Sequence, residues 1–247
     1  MEDRDFIHGR MGQRRHNEQE FTAMRRTAKE VSNYRFIVRA LSIVLVLLII
    51  VTMAVYLVAV LYRNSGRFSV MIDKYEMTKY GLSLSESRDL THMQSHLNAK
   101  IAEEMTNIAE EDIPTNVDMI DGEHNGRDYI AYTFYCQNAG EVSYACEYEV
   151  VFSNVTNNLD EAIRLRLYVD GVPTNYAKTR SDGGGAEPGT TEFYSSTVMA
   201  RGRIDEFNPG DVTKYTVVLW IEGTDPDCID WLIGGMLKVE MNISAVH

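Results

Sequence analysis

Cysteine is scarce in this chain, three residues in 247, too few to build a disulfide scaffold. No serine nucleophile elbow, phosphate-binding loop or CxxC pair occurs. The metalloprotease signature is missing as well. His92 and His96 stand four apart in HMQSH, so the glutamate that HExxH supplies as general base is absent. Positive charge is in deficit, with 24 Lys/Arg against 36 Asp/Glu and a net charge of −12. That balance argues against nucleic acid and against adhesion of the acidic part to anionic lipid. There is no internal repeat.

What is present is a run of 23 residues without a charge, Ala40 to Tyr62. As a helix it extends ~35 Å, enough to cross a hydrocarbon core of ~30 Å. A cleaved signal peptide would carry a shorter apolar core behind a short basic lead and before a small-x-small site. Here 39 residues precede the run and no A-x-A follows it, so a retained anchor is expected. Residues 1–39 carry a net +3 and residues 63–247 a net −15. Within 20 residues of the run, five basic residues precede it and four follow. The expected topology is therefore a cytoplasmic segment 1–39, a membrane helix 40–62 and an extracellular domain 63–247. The lipid bilayer is the partner of residues 40–62. Residues 18–39 are compatible with a helix running into the membrane.

Beyond the anchor, Phe68, Val70 and Ile72 alternate with Ser69, Met71 and Asp73, the period of a half-buried strand. Leu90, Met93, Leu97, Ile101, Met105 and Ile108 recur at three and four, which predicts a short helical insertion near 86–110. After Pro114 the pattern is β. Ile130–Cys136 and Tyr144–Phe152 predict a hairpin centred on Glu141, in which Cys136 faces Cys146 and the two form a disulfide. Residues 163–169, 215–221 and 237–243 predict further strands, with 215–221 apolar on both faces as in a central strand. Asp170-Gly171, residues 181–190 and residues 207–211 supply the turns. The predicted fold is mainly β, an antiparallel, jelly-roll-like sandwich behind one transmembrane helix.

Three groups of residues qualify as metal candidates. The His92/His96 pair lacks a third ligand and reads as solvent-facing. Asp121, Glu123, Asn125 and Gly126 imitate the start of a calcium loop, but the twelfth position is Tyr132, so an Asn-Gly turn explains the letters better. Glu222, Asp225, Asp227 and Asp230 crowd one loop and are weak calcium candidates; solvated carboxylates around an Asp-Pro turn are the simpler reading. Cys228 in that loop is either buried as a small apolar group or paired with Cys136 or Cys146. Asn154 and Asn242 sit in glycosylation sequons, which mean little without a eukaryotic secretory context.

The stretch PGDVTKYTVVLWIEGTDPDCIDWLIGG resembles the C-terminal part of the TasA/camelysin family of Gram-positive surface and biofilm-matrix proteins. The residues that carry the resemblance are Trp220, Glu222, Gly223, Asp225, Pro226, Asp227 and Cys228. It extends over roughly residues 125–245 and implies a jelly-roll-like sandwich outside the cell, in some members assembling by strand exchange. The family has also carried a metallopeptidase label, which is not carried over because HExxH is missing. The expectation is a membrane-anchored surface protein that binds or assembles with surface or matrix proteins by β-strand addition, needs no cofactor and is not an enzyme. A tethered metallopeptidase and a transmembrane sensor or assembly factor are the rivals.

Overall fold

The computed structural model describes residues 33, 34, 36–58, 67–99 and 105–246. The chain divides into two compact units, Met1–Arg63 and Asn64–His247.

In the first unit, helix α1 runs over Phe36–Val58 and is long and apolar enough to cross a membrane. Its large side chains are all exposed. Two hydroxyls within it are satisfied by the helix itself. Ser42 donates to the Val38 carbonyl at 2.9 Å and Thr52 to the Leu48 carbonyl at 3.0 Å. Such satisfaction is what a hydrocarbon environment demands. Residues 59–62 of the predicted span, and most of the predicted 1–39 segment, lie outside the described residues.

The second unit is built from two mixed sheets. Its elements are β1 (Arg67–Ile72), α2 (Lys74–Tyr80), β2 (Leu82–Ser85), β3 (His96–Ala99), β4 (Gly122–Glu123), β5 (Tyr129–Asn138), β6 (Tyr144–Val155), β7 (Ile163–Val169), β8 (Val172–Ala177), β9 (Thr191–Glu192), β10 (Val198–Phe207), β11 (Val212–Ile221) and β12 (Leu237–Val246). One sheet has the order β10-β6-β12-β1-β3; the other runs β2-β5-β11-β7-β8-β9, with β4 also on β5. Most neighbours are antiparallel, but β1 pairs parallel with β12 and β8 with β9. The inward faces meet in one apolar core. Phe68 of one sheet lies edge-on to Tyr132 of the other at 5.8 Å, and Tyr148 to Tyr215 at 5.3 Å.

The period-2 segments at 68–72, 163–169, 215–221 and 237–243 form β1, β7, β11 and β12 as their alternation predicts. Strand β11 lies between β5 and β7 and is buried on both faces. Its outer face is covered by two single 3₁₀ turns, Glu110–Asp112 and Val117–Met119. Ile113 and Val117 from this cover pack against Ala131, Tyr168, Val218 and Trp220.

Two predictions are corrected. The helical insertion near 86–110 is not a helix among its described residues. Leu97 belongs to β3, Leu90 takes a left-handed φ of 56°, and Ile108 bridges to Glu222. Ile101 lies outside the described residues. Among the described residues of that spacing, Leu97 is buried in the core, Met105 and Ile108 pack against buried clusters from separate segments, and Leu90 and Met93 are half-buried. A seven-residue helix does form earlier, at α2, capped by the Asp73 carboxylate on the Tyr75 amide at 2.7 Å and by Gly81 at φ 71°.

The second correction concerns the hairpin of β5 and β6. These strands are consecutive but pair in different sheets, β5 with β11, β2 and β4, and β6 with β12 and β10. Cross-strand apolar matching gave the wrong partner because both strands present alternating apolar faces to one shared core. Two inward faces that meet across a sandwich match as well as two neighbours in a sheet.

Candidate functional site

The end of β11 and the loop after it hold the residues that carry the resemblance, and the fold fixes that loop from several sides. Trp220 is buried and its indole Nε1 donates to Glu222 at 2.9 Å. Thr224 donates to the same carboxylate from its hydroxyl at 2.6 Å and its amide at 3.2 Å. Burial, the largest influence on Glu222, would raise its pKa. The hydrogen bonds from Thr224 and Trp220 outweigh it and hold the carboxyl below the ordinary value.

Arg164 of β7 stands beside Trp220 in register. Its guanidinium, 5 % exposed, donates to Asp225, whose side chain is fully buried, and lies 3.8 Å from Glu187. Burial, and then the neighbouring charge of Asp225, push the Glu187 carboxyl above its ordinary pKa despite Arg164. Asp225 also accepts from the Asp227 amide at 2.8 Å, which closes the Asp-Pro-Asp turn. Asp227 in turn holds the hydroxyl and amide of Ser181. The Gly-rich 181–190 segment, read from sequence only as a turn, is thereby tied to the loop after β11.

Carboxylate oxygens of Glu187, Asp225 and Asp227 lie within 4.8 Å of one another. The predicted calcium group of Glu222, Asp225, Asp227 and Asp230 is therefore only half assembled. Glu222 is committed to Trp220 and Thr224, and Asp230 sits on a separate exposed turn. Glu187 joins from a Gly-rich loop with no sequence signal to announce it. Arg164 occupies the position where a cation would neutralise this cluster, so the chemistry the arrangement performs is a buried ion-pair lock. The other candidates stand apart. Asp121 accepts the Tyr135 hydroxyl at 2.7 Å; burial first, and then this bond, push that phenol up to about 12. Asn125 accepts the Ala131 amide at 2.9 Å, and Gly126 closes the turn into β5. His92 and His96 are exposed, the latter bonded to Asn98 at 2.9 Å.

The three cysteines are thiols in this structure. Cys136 and Cys146 are fully buried and face each other across the core from opposite sheets. Cys146 and burial push the Cys136 thiol well up, and the hydroxyls of Tyr144 and Tyr215 nearby are buried without a partner. Cys228 belongs to the far end of the strands, against Leu159, Ala162 and Leu232, and accepts from Asn107 at 3.6 Å.

Two further surfaces are open. Near the start of β11, Arg88, Asp118, Met119, Asp121, Tyr135 and Lys214 line a groove of about 1060 Å³. Lys214 is clamped there on Asp118 at 2.6 Å. The second surface is the edge of the five-stranded sheet. β10 pairs only with β6 and leaves ten residues of backbone without a second strand among the described residues. Its solvent face carries Arg201, Arg203 and Asp205, with Arg203 on Glu147 at 2.6 Å and Arg201 on Glu147 at 3.2 Å.

Comparison with family models finds no match for this sequence, and comparison with curated proteins finds none either.

Proposed function

We propose that this chain is a single-pass surface protein, its N-terminus in the cytoplasm and its sandwich outside, and that the sandwich binds a protein partner by strand addition rather than catalysing a reaction. The observation that carries this reading is the β10 edge, ten residues long. An unpaired edge supplies a row of backbone donors and acceptors to an incoming strand. The Arg201, Arg203 and Asp205 side chains discourage indiscriminate pairing and select a partner of matching charge pattern. The likeness of 125–245 to TasA/camelysin surface proteins, some of which assemble by strand exchange, supports a role in surface or matrix assembly.

The test is photocrosslinking on intact cells from an unnatural residue placed at Asp205. The expected result is one discrete adduct, lost when Arg201 and Arg203 are both changed to Glu. If Asp205 gives no adduct and the purified chain stays monomeric in detergent, strand addition at this edge is wrong.

A further inference from the structure

The loop that follows the ion-pair lock ends in an apolar tip. Ile229, Trp231 and Ile233 are 60 %, 74 % and 75 % exposed. Solvated apolar side chains are common singly, but three alternating within five residues form a patch that calls for a covering surface. The tip is also held firmly. Between the exposed residues, Leu232 is buried against Leu159 and Ala162. The Ile233 carbonyl accepts from Asn157 at 3.0 Å, the Met236 amide donates to the Thr156 hydroxyl at 2.7 Å, and Gly234 turns the chain at φ 74°. The three side chains are thus presented on a fastened turn.

Register shows which end of the sandwich this is. β1 runs parallel to β12 and begins with Arg67 opposite Lys238. Lys238 lies seven residues beyond Trp231. The tip therefore projects at the end of the sandwich where β1 begins. The nine residues from Val58, where α1 ends, to Arg67 span at most ~32 Å. Indole rings flanked by aliphatic side chains favour the boundary between headgroups and hydrocarbon.

From this geometry we infer that Ile229, Trp231 and Ile233 insert into the surface of the bilayer in which α1 is anchored, giving the sandwich a second, non-covalent membrane contact. The inference rests on the anchored reading above. The charge around the tip selects the lipid. Asp227 precedes it and the exposed Asp230 lies within it, while Asp160 and Glu161 nearby are neutralised on Lys178 at 2.6 and 2.7 Å. Insertion is therefore apolar in origin, and a zwitterionic headgroup serves it better than an anionic one.

The chain carries its own reporters, since its two tryptophans are the exposed Trp231 and the buried Trp220. The full chain is reconstituted in phosphatidylcholine vesicles with acyl chains brominated near the carbonyl, and emission of the Trp231→Phe variant is subtracted to isolate Trp231. The expected result is a blue-shifted Trp231 signal, mostly lost to bromine quenching, with Trp220 unaffected. A chain that resists carbonate extraction but shows an unquenched, water-like Trp231 overturns the insertion, leaves the anchor standing and assigns the tip to a protein partner. A chain that carbonate releases from the vesicles removes the anchored reading, and this inference falls with it.

Discussion

The two sheets of the sandwich share one core and differ on their outer faces. The seven-stranded sheet is covered. Its β11 is apolar on both sides, Trp220 lies under the 108–119 segment, and the charge beneath that cover, Arg164, is locked to Asp225 and Glu187. The five-stranded sheet is open. Its outer face is a ladder of exposed and half-exposed charges, with Arg201 and Arg203 on Glu147 and Lys238 on Glu240. The same kinds of side chain thus do opposite work. Under cover an ion pair must be complete to be tolerated, and in water it is nearly neutral for stability.

The largest expected effect is on the covered side. Trp220→Ala should destabilise the domain by about 3–5 kcal/mol, since it empties a buried site and strips Glu222 of a donor. Denaturant melts of wild type and variant measure it. Arg164→Ala should cost about 3–5 kcal/mol by leaving the buried Asp225 carboxylate alone. Changing both Arg164 and Asp225 to apolar residues of similar size should recover part of that loss, and a double variant no better than the single one would remove the lock.

Between the sheets, we propose that Cys136 and Cys146 form a disulfide when the protein folds in an oxidising compartment. The bond should contribute about 2–3 kcal/mol through its short loop. Peptide mapping without reductant shows whether it forms. The raised Cys136 thiol implies that reduced, folded protein resists alkylation until denaturant is added.

The acid limb of stability gives a smaller effect. Glu222 has a folded pKa below its ordinary 4.5, so its contribution is complete above that pH and lost as pH falls through the folded value. Glu187, raised from 4.5, acts in the opposite sense, because its ionised form is disfavoured in the folded state and protonation relieves it. Glu222→Gln should flatten the loss of stability below about pH 4.5, whereas Glu187→Gln should remove a gain in stability that wild type makes as pH falls toward about 4.5 from above. The smallest effect belongs to the open face, where Arg203→Ala should cost no more than about 1 kcal/mol. A much larger loss there would erase the contrast between the two sheets.

The sequence was most readable where one physical rule acted alone. Strands β1, β7 and β12 follow from simple alternation, α1 from an uncharged run, and the double-sided burial of β11 from its unbroken apolar stretch. It misled where two rules gave the same letters. Apolar residues at 90–108 mimic a helix because they come from separate short elements, and the matched faces of β5 and β6 mimic a hairpin because they meet across the core. The ion-pair lock was half visible. Asp225 and Asp227 stood out as a cluster, but Arg164 looked like the polar face of an alternating strand, and Glu187 was hidden in a Gly-rich loop. Long-range charge pairing leaves no local period to read.

The parallel seam between β1 and β12 has a mechanical consequence. A pull transmitted to the domain through the residues before Arg67 runs along the axis of β1. It loads the six residue pairs with β12 and the four with β3 together, in shear, instead of peeling them one at a time. Hydrogen bonds stretched in parallel share the load, whereas bonds opened in series fail singly. A domain loaded through its first strand in this way resists a pull better than one whose first strand would be peeled away pair by pair.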